Sequence, residues 1–256
     1  MSRYVALGSS MAAGPGIKPL AEGAPWQAGR SARNYPHLVA AELGLDLVDV
    51  TYSGATTAHV LRDRQNGAPP QIEALDGSEA LVTITIGGND AGYVPQLMAA
   101  ALPRFTRSLP LVGPLLRGLL DPDARETALT DVADSLVTVG REVRRRAPQA
   151  QVLFVDYLTM LPPEGVAAPP LSLTDAALGR HVAATLERLT GEAAAETGCG
   201  WVRGAQASLT HHAWSAQPWT TRPGLPWPCR PAPLHPNAAG MRAVADLVVA
   251  QAGCDA

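Results

Sequence analysis

The chain has 256 residues and a formal net charge of −3. That length supports one substantial core, and the mildly acidic balance leaves no basic footprint for a nucleic-acid partner. The most apolar later stretch, residues 109–120, is too short to span a bilayer and contains Pro110, Gly113, Pro114 and Arg117, so no stable membrane insertion is expected.

An apolar run begins at Tyr4, with neither a charged leader nor an export-length apolar region before it. A cytoplasmic protein is therefore expected, with secretion left open if a leader has been trimmed. Residues 5–7 read as a short buried strand ending in Gly8-Ser9-Ser10. Residues 35–43 have helical spacing, with Asn34 placed to cap them. Residues 47–52 are a second strand, followed by Gly54. Residues 81–86 are the clearest strand, apolar on both faces as in a parallel sheet covered on both sides. They run into Gly87-Gly88-Asn89-Asp90.

Residues 109–120 read as a buried amphipathic helix or, less simply, a lid. Residues 123–146 form a long helical pattern closed by Arg144, Arg145 and Arg146, cations that suit a helix C-terminus. Residues 152–155 are a fourth strand, residues 173–197 a second long helix, and residues 201–202 a short fifth strand. Residues 237–251 are the last helix, with Met241, Val244, Leu247 and Val248 on one face. Strands alternating with helices imply a parallel sheet between two helical layers, here as a single domain over residues 1–256.

In such a sheet ligands bind outside the carboxyl ends of the strands, and Ser10, Gly54 and Asn89 follow three of those ends. Ser10 opens a turn where a hydroxyl can stand at the rim beside backbone N–H groups. Asn89 can aim an amide into the cleft. His235 lies in a proline-pinned loop, Pro233-Leu234-His235-Pro236, before the final helix. Each element alone has a plainer reading, as a helix cap, a turn or an exposed histidine. Trp214 and Trp219 precede that loop and either line a substrate pocket or pack the loop down. Cys199, Cys229 and Cys254 are odd in number and irregular in spacing, which favours thiols over a disulfide framework. His211 and His212 are adjacent and cannot easily share a metal. No metal and no organic cofactor is expected.

Taken in order, the four blocks resemble those of the SGNH (GDSL) hydrolases, from Tyr4 to about Val249. The most specific are Gly87-Gly88-Asn89-Asp90 and His235-Pro236-Asn237-Ala238-Ala239-Gly240. The resemblance implies an α/β/α sandwich on a five-stranded, flavodoxin-like parallel sheet. It implies Ser10 as nucleophile and His235 as base. The oxyanion hole would be Ser10 N–H, Gly54 N–H and the Asn89 side chain. Two positions depart from the family pattern. Ser9 stands where an Asp usually precedes the serine, and Ala232 stands where an Asp usually orients the histidine. A Ser10–His235 dyad is therefore expected, with the carbonyl of Ala232 or a close neighbour holding the imidazole. The implied activity is hydrolysis of small-molecule carboxylic esters. Transfer of the same acyl group to another acceptor, or a non-catalytic binding role, is the alternative. Acyl length and oligomeric state are left open.

Overall fold

The computed structural model describes residues 2–227 and 230–253. Five strands form one sheet in the order β2-β1-β3-β4-β5, and every neighbouring pair is parallel. They are β1 (Arg3–Gly8), β2 (Asp46–Asp49), β3 (Glu79–Thr85), β4 (Gln151–Val155) and β5 (Gly200–Val202). This is the expected flavodoxin-like order, so all five carboxyl ends share one edge.

Side-chain alternation divides the core. In β1, Val5 and Leu7 face one layer while Tyr4 and Ala6 face the other. In β4, Val152 and Phe154 join the first layer, and Leu153 and Val155 the second. The first layer is covered chiefly by α3 (Thr57–Leu61), α4 (Tyr93–Ala101), α6 (Pro122–Arg146) and α7 (Leu173–Thr197). The second is covered by α2 (Tyr35–Leu43) and α9 (Ala238–Gly253). Leu129, Val132, Leu136, Val139 and Val143 of α6 recur at helical spacing and are buried. Burying each such side chain contributes roughly 1.5–3 kcal/mol before entropy is counted.

Local chemistry sets the ends. Asn34 caps α2 by accepting from the His37 N–H at 3.1 Å. Asn237 accepts from the Gly240 N–H at 3.0 Å, so α9 begins one residue later than expected. Strand β2 is shorter than the apolar pattern predicts, because its tail turns into the Gly54 loop after Asp49. The Asp49 carboxylate itself caps that turn, taking the Thr51 N–H and hydroxyl. Three short helices complete the chain: α1 (Ser10–Ala13), α5 (Gly113–Leu119) and α8 (Gly204–Ala207).

Residues 109–120 correct one expectation. They do not form a buried amphipathic helix. Only α5 is regular there, and Leu111 and Leu115 are 94% and 67% exposed. The apolar composition was legible, but the partner surface that would bury it is absent among the described residues.

Candidate active site

Strand β1 delivers the reacting end. Its last residue is bracketed by one buried side chain: Gln71 accepts from the Gly8 N–H at 2.7 Å and donates to the Gly8 carbonyl at 3.0 Å. The Ser9 N–H donates to the Thr85 carbonyl at the end of β3, at 2.9 Å. Thus the turn into α1 is held from two sides, and Ser10 is its first helical residue.

Ser10 Oγ lies 2.8 Å from His235 Nε2, across 225 positions of sequence. His235 Nδ1 lies 2.7 Å from the Pro233 carbonyl. A carbonyl can only accept, so Nδ1 carries the hydrogen in this geometry. The neutral ring then presents its Nε2 lone pair to the Ser10 hydroxyl. Both side chains are buried. Burial pushes the His235 pKa below its ordinary value, and the Pro233 hydrogen bond partly opposes that. The neutral imidazole is thereby favoured.

The carbonyl that meets Nδ1 belongs to Pro233, a close neighbour of Ala232, and not to Ala232 itself. The Ala232 carbonyl is taken by the Thr221 hydroxyl at 2.6 Å. Thr221 also accepts from the His235 N–H at 3.2 Å and donates its own N–H to the His235 carbonyl at 3.0 Å. Leu234 holds a left-handed backbone, φ 59°, with its side chain fully buried. That conformation is costly for a non-glycine residue, and burial of Leu234 is what holds it. The loop that carries His235 is therefore fixed by packing and by Thr221.

The other two blocks are tied to the same edge. The Tyr52 N–H donates to the Gly8 carbonyl at 3.0 Å, which sets the Gly54 turn beside the Ser10 turn. Gly54 adopts φ 80°, a region that side-chain-bearing residues avoid. Asn89 Nδ2 donates to the Ala55 carbonyl at 2.8 Å, which fixes the amide and leaves its second N–H for a ligand. Asp90 takes the Thr57 N–H and hydroxyl, locking the Asn89 turn to the start of α3. Among the described residues, no hydrogen-bond partner takes the Ser10 or Gly54 N–H.

Both tryptophans have partners within the protein. Trp219 stacks on His211 at 4.1 Å between centroids, and Trp214 Nε1 donates to the Pro169 carbonyl. Trp219 thus packs within its own loop, and Trp214 ties that loop to the turn at Pro169. Cys199 receives a hydrogen bond from the Thr197 hydroxyl, while Cys229 and Cys254 lie outside the described residues. Sequence reasoning missed Gln71, Thr221 and Tyr157. Tyr157 stands just past the end of β4, where the strand-end rule already pointed to ligand contacts.

A buried serine hydroxyl on an oriented neutral imidazole, at the carboxyl edge of a parallel sheet, defines a nucleophilic site of the acyl-transfer class. The model of the GDSL-like lipase/acylhydrolase family matches residues 6–243, and the chain belongs to that family. It is a carboxylic ester hydrolase of the GDSL type. Lipase 2 of Streptomyces coelicolor is 33% identical, over 98% of this chain and 86% of its own length. A lipase of Streptomyces rimosus is 29% identical, over 87% and 77%. Among solved structures, phospholipase A1 from Streptomyces albidoflavus superposes with a TM-score of 0.78 at 25% identity, covering 98% of both chains. The extracellular lipase from Streptomyces rimosus also gives 0.78, at 28% identity, covering 98% and 99%.

Proposed function

We propose that the chain hydrolyses small-molecule carboxylic esters through an acyl-enzyme on Ser10, with His235 as the sole side-chain base. The observation that carries this reading is the Ser10 Oγ–His235 Nε2 contact of 2.8 Å, on a ring whose other nitrogen is held by a carbonyl. His235 takes the Ser10 proton as Oγ attacks the ester carbonyl carbon. The resulting oxyanion is met by the Ser10 N–H, the Gly54 N–H and the Asn89 amide. Each such donor is typically worth about 3 kcal/mol of barrier. The tetrahedral adduct collapses, and His235 gives its proton to the departing alkoxide. Water then repeats the sequence on the acyl-enzyme and releases the acid.

The missing Asp is answered by the Pro233 carbonyl. It accepts from Nδ1 and so fixes the productive tautomer, the role that an orienting carboxylate performs in serine proteases. It brings no full charge to the imidazolium, so stabilisation of the charged ring is weaker than in a triad.

The test is turnover of p-nitrophenyl esters from acetyl to palmitoyl by wild type, Ser10→Ala and His235→Ala. Wild type should turn over, and each substitution should cost about 10⁴-fold or more. Equal activity in Ser10→Ala sinks the reading. On location, the cytoplasmic expectation and the extracellular description of the S. rimosus lipase point different ways. Among the described residues, no helix is long and apolar enough to cross a membrane. Fractionation of a producing culture decides, since activity in the filtrate defeats the cytoplasmic expectation.

A further inference from the structure

Gly8 closes β1 two positions before Ser10, and three neighbours meet it. The Tyr52 N–H donates to its carbonyl at 3.0 Å, from the chain that goes on to the Gly54 turn. A Cβ at Gly8 would come within 2.7 Å of the Thr85 carbonyl at the end of β3, so only glycine fits there. The third neighbour is Gln71. Its side-chain amide accepts the Gly8 N–H at 2.7 Å and donates to the Gly8 carbonyl at 3.0 Å. A displacement of Gly8 is therefore passed to the Ser10 turn and the Gly54 turn together.

The pair of bonds made by Gln71 is one that a sheet neighbour would otherwise supply. Beyond β2, the Val50 N–H donates to the Ala6 carbonyl at 3.1 Å and the Tyr52 N–H to the Gly8 carbonyl. Strand β2 itself ends at Asp49, and the Gly8 N–H finds its acceptor on Gln71 instead. A side-chain amide suits this place because it presents an acceptor and a donor side by side, as a peptide group does. Gln71 heads a short 3₁₀ turn, Gln71–Ala74, directly after Pro69-Pro70, and is only 5% exposed. The fixed φ of Pro70 limits the approach to that turn. Arg3 ties its far end by donating to the Ala74 carbonyl at 2.7 Å. The amide is thus held on a rigid support, aimed at the end of β1.

We propose that Gln71 is a positioning residue: its amide stands in for a sheet neighbour at the end of β1 and so sets Ser10 Oγ against His235 Nε2. The proposal rests on the ester-hydrolase reading for its kinetic readout. An amide that only satisfied the sheet edge would alter stability and leave the kcat of the folded protein alone.

Two measurements test it. The first is the kinetics of p-nitrophenyl butyrate hydrolysis by wild type, Gln71→Leu and Gln71→Glu. Gln71→Leu removes both bonds and should lower kcat about 100-fold, the cost of a misplacement on the order of 1 Å, with little change in KM. Val143→Ala, a buried truncation near the far end of α6, is the destabilised control and should keep the wild-type kcat. Gln71→Glu keeps the shape and covers the case in which Gln71→Leu does not fold. Protonated, the new carboxyl can accept from the Gly8 N–H and donate to the Gly8 carbonyl; ionised, it can only accept. Arg30, Tyr52, His59 and Glu73 share the cavity beside Gln71 and are the same in both proteins. The ratio of kcat/KM in Gln71→Glu to that in wild type should therefore fall at least about tenfold as pH rises through the pKa of the new carboxyl. Burial and the facing carbonyl hold that pKa above about 4.3, and the titration of His235 cancels in the ratio. A flat ratio, or a wild-type kcat in Gln71→Leu, overturns the proposal. The second measurement follows the Gly8 amide and the His235 ring nitrogens of Gln71→Glu by ¹⁵N NMR across the same pH range. Both should shift through one pKa that wild type lacks, and a Gly8 shift with His235 unmoved overturns the proposal. This readout needs no catalysis. Coupled shifts in a protein that cleaves no ester would keep the role of Gln71 and defeat the hydrolase reading. Ester turnover that depends on Ser10, with Gln71→Leu at the wild-type kcat, would do the reverse.

Discussion

The loop that carries His235 and the segment at 102–120 are both irregular, proline-containing chain, yet they are held in opposite ways. Around His235, Leu234 is fully buried, Thr221 bonds to both Ala232 and His235, and the ring nitrogens are each engaged. In the other segment Phe105, Leu111 and Leu115 are each more than 60% exposed. Its side-chain polar ties are few: the Thr106 hydroxyl donates to the Pro103 carbonyl, Arg107 pairs with Asp175 at 2.8 Å, and Arg117 bonds to the Arg107 carbonyl. Irregular chain can therefore be as fixed as a strand when its side chains are buried and its polar groups are satisfied. Secondary structure alone does not rank the two regions.

The largest effect is expected at the Asn89 turn. Asn89→Ala should lower kcat about 100- to 1000-fold with little change in melting temperature. A loss below tenfold would remove Asn89 from the proposed transition-state contacts. Next in size is Thr221→Val, which strips the Ala232 carbonyl and the His235 N–H of their hydroxyl partner. We expect about 1–3 kcal/mol of lost stability by urea titration, together with a fall in kcat larger than the change in KM. An unaltered kcat would mean that the loop holds His235 without Thr221.

Titration sharpens the same comparison. His235 is harder to protonate in the folded protein than in the unfolded chain, because burial lowers its pKa. Its contribution to stability is then full above the unfolded value of about 6.5 and is lost as pH falls below it. The acid limb of the kcat/KM profile should likewise lie below about 6.5. A limb above that value would contradict the buried, carbonyl-held imidazole. The smallest effect is expected in the exposed segment. Leu111→Ser should alter stability by no more than about 0.5 kcal/mol by urea titration. A larger loss would show that Leu111 has a partner.

Much of the fold was legible because its signals are local. β-branched and apolar runs marked the strands, and 3.6-residue spacing marked α6 and α7. The site was legible where chemistry and position coincide, as with Ser10, Gly54 and Asn89 after strand ends and His235 before α9. What was not legible depends on distant partners. Gln71 reads as an ordinary polar residue until its amide meets Gly8, 63 positions away. Tyr157 needs Gly88, 69 positions away. The orienting carbonyl shifted by one residue, from Ala232 to Pro233, because Thr221 claims the former. The tryptophans left two readings open, because an indole suits a pocket and a packed loop equally well and only its neighbours decide.

In the proposed mechanism Ser10 is an activated nucleophile and His235 its base. The most direct test is labelling with a p-nitrophenyl alkylphosphonate, read by intact mass and peptide mapping. The account predicts one phosphonyl group per chain on Ser10, none on Ser10→Ala, and labelling of His235→Ala slowed at least about 100-fold. A folded wild-type protein that takes no label, or takes it at the same rate without His235, would contradict it.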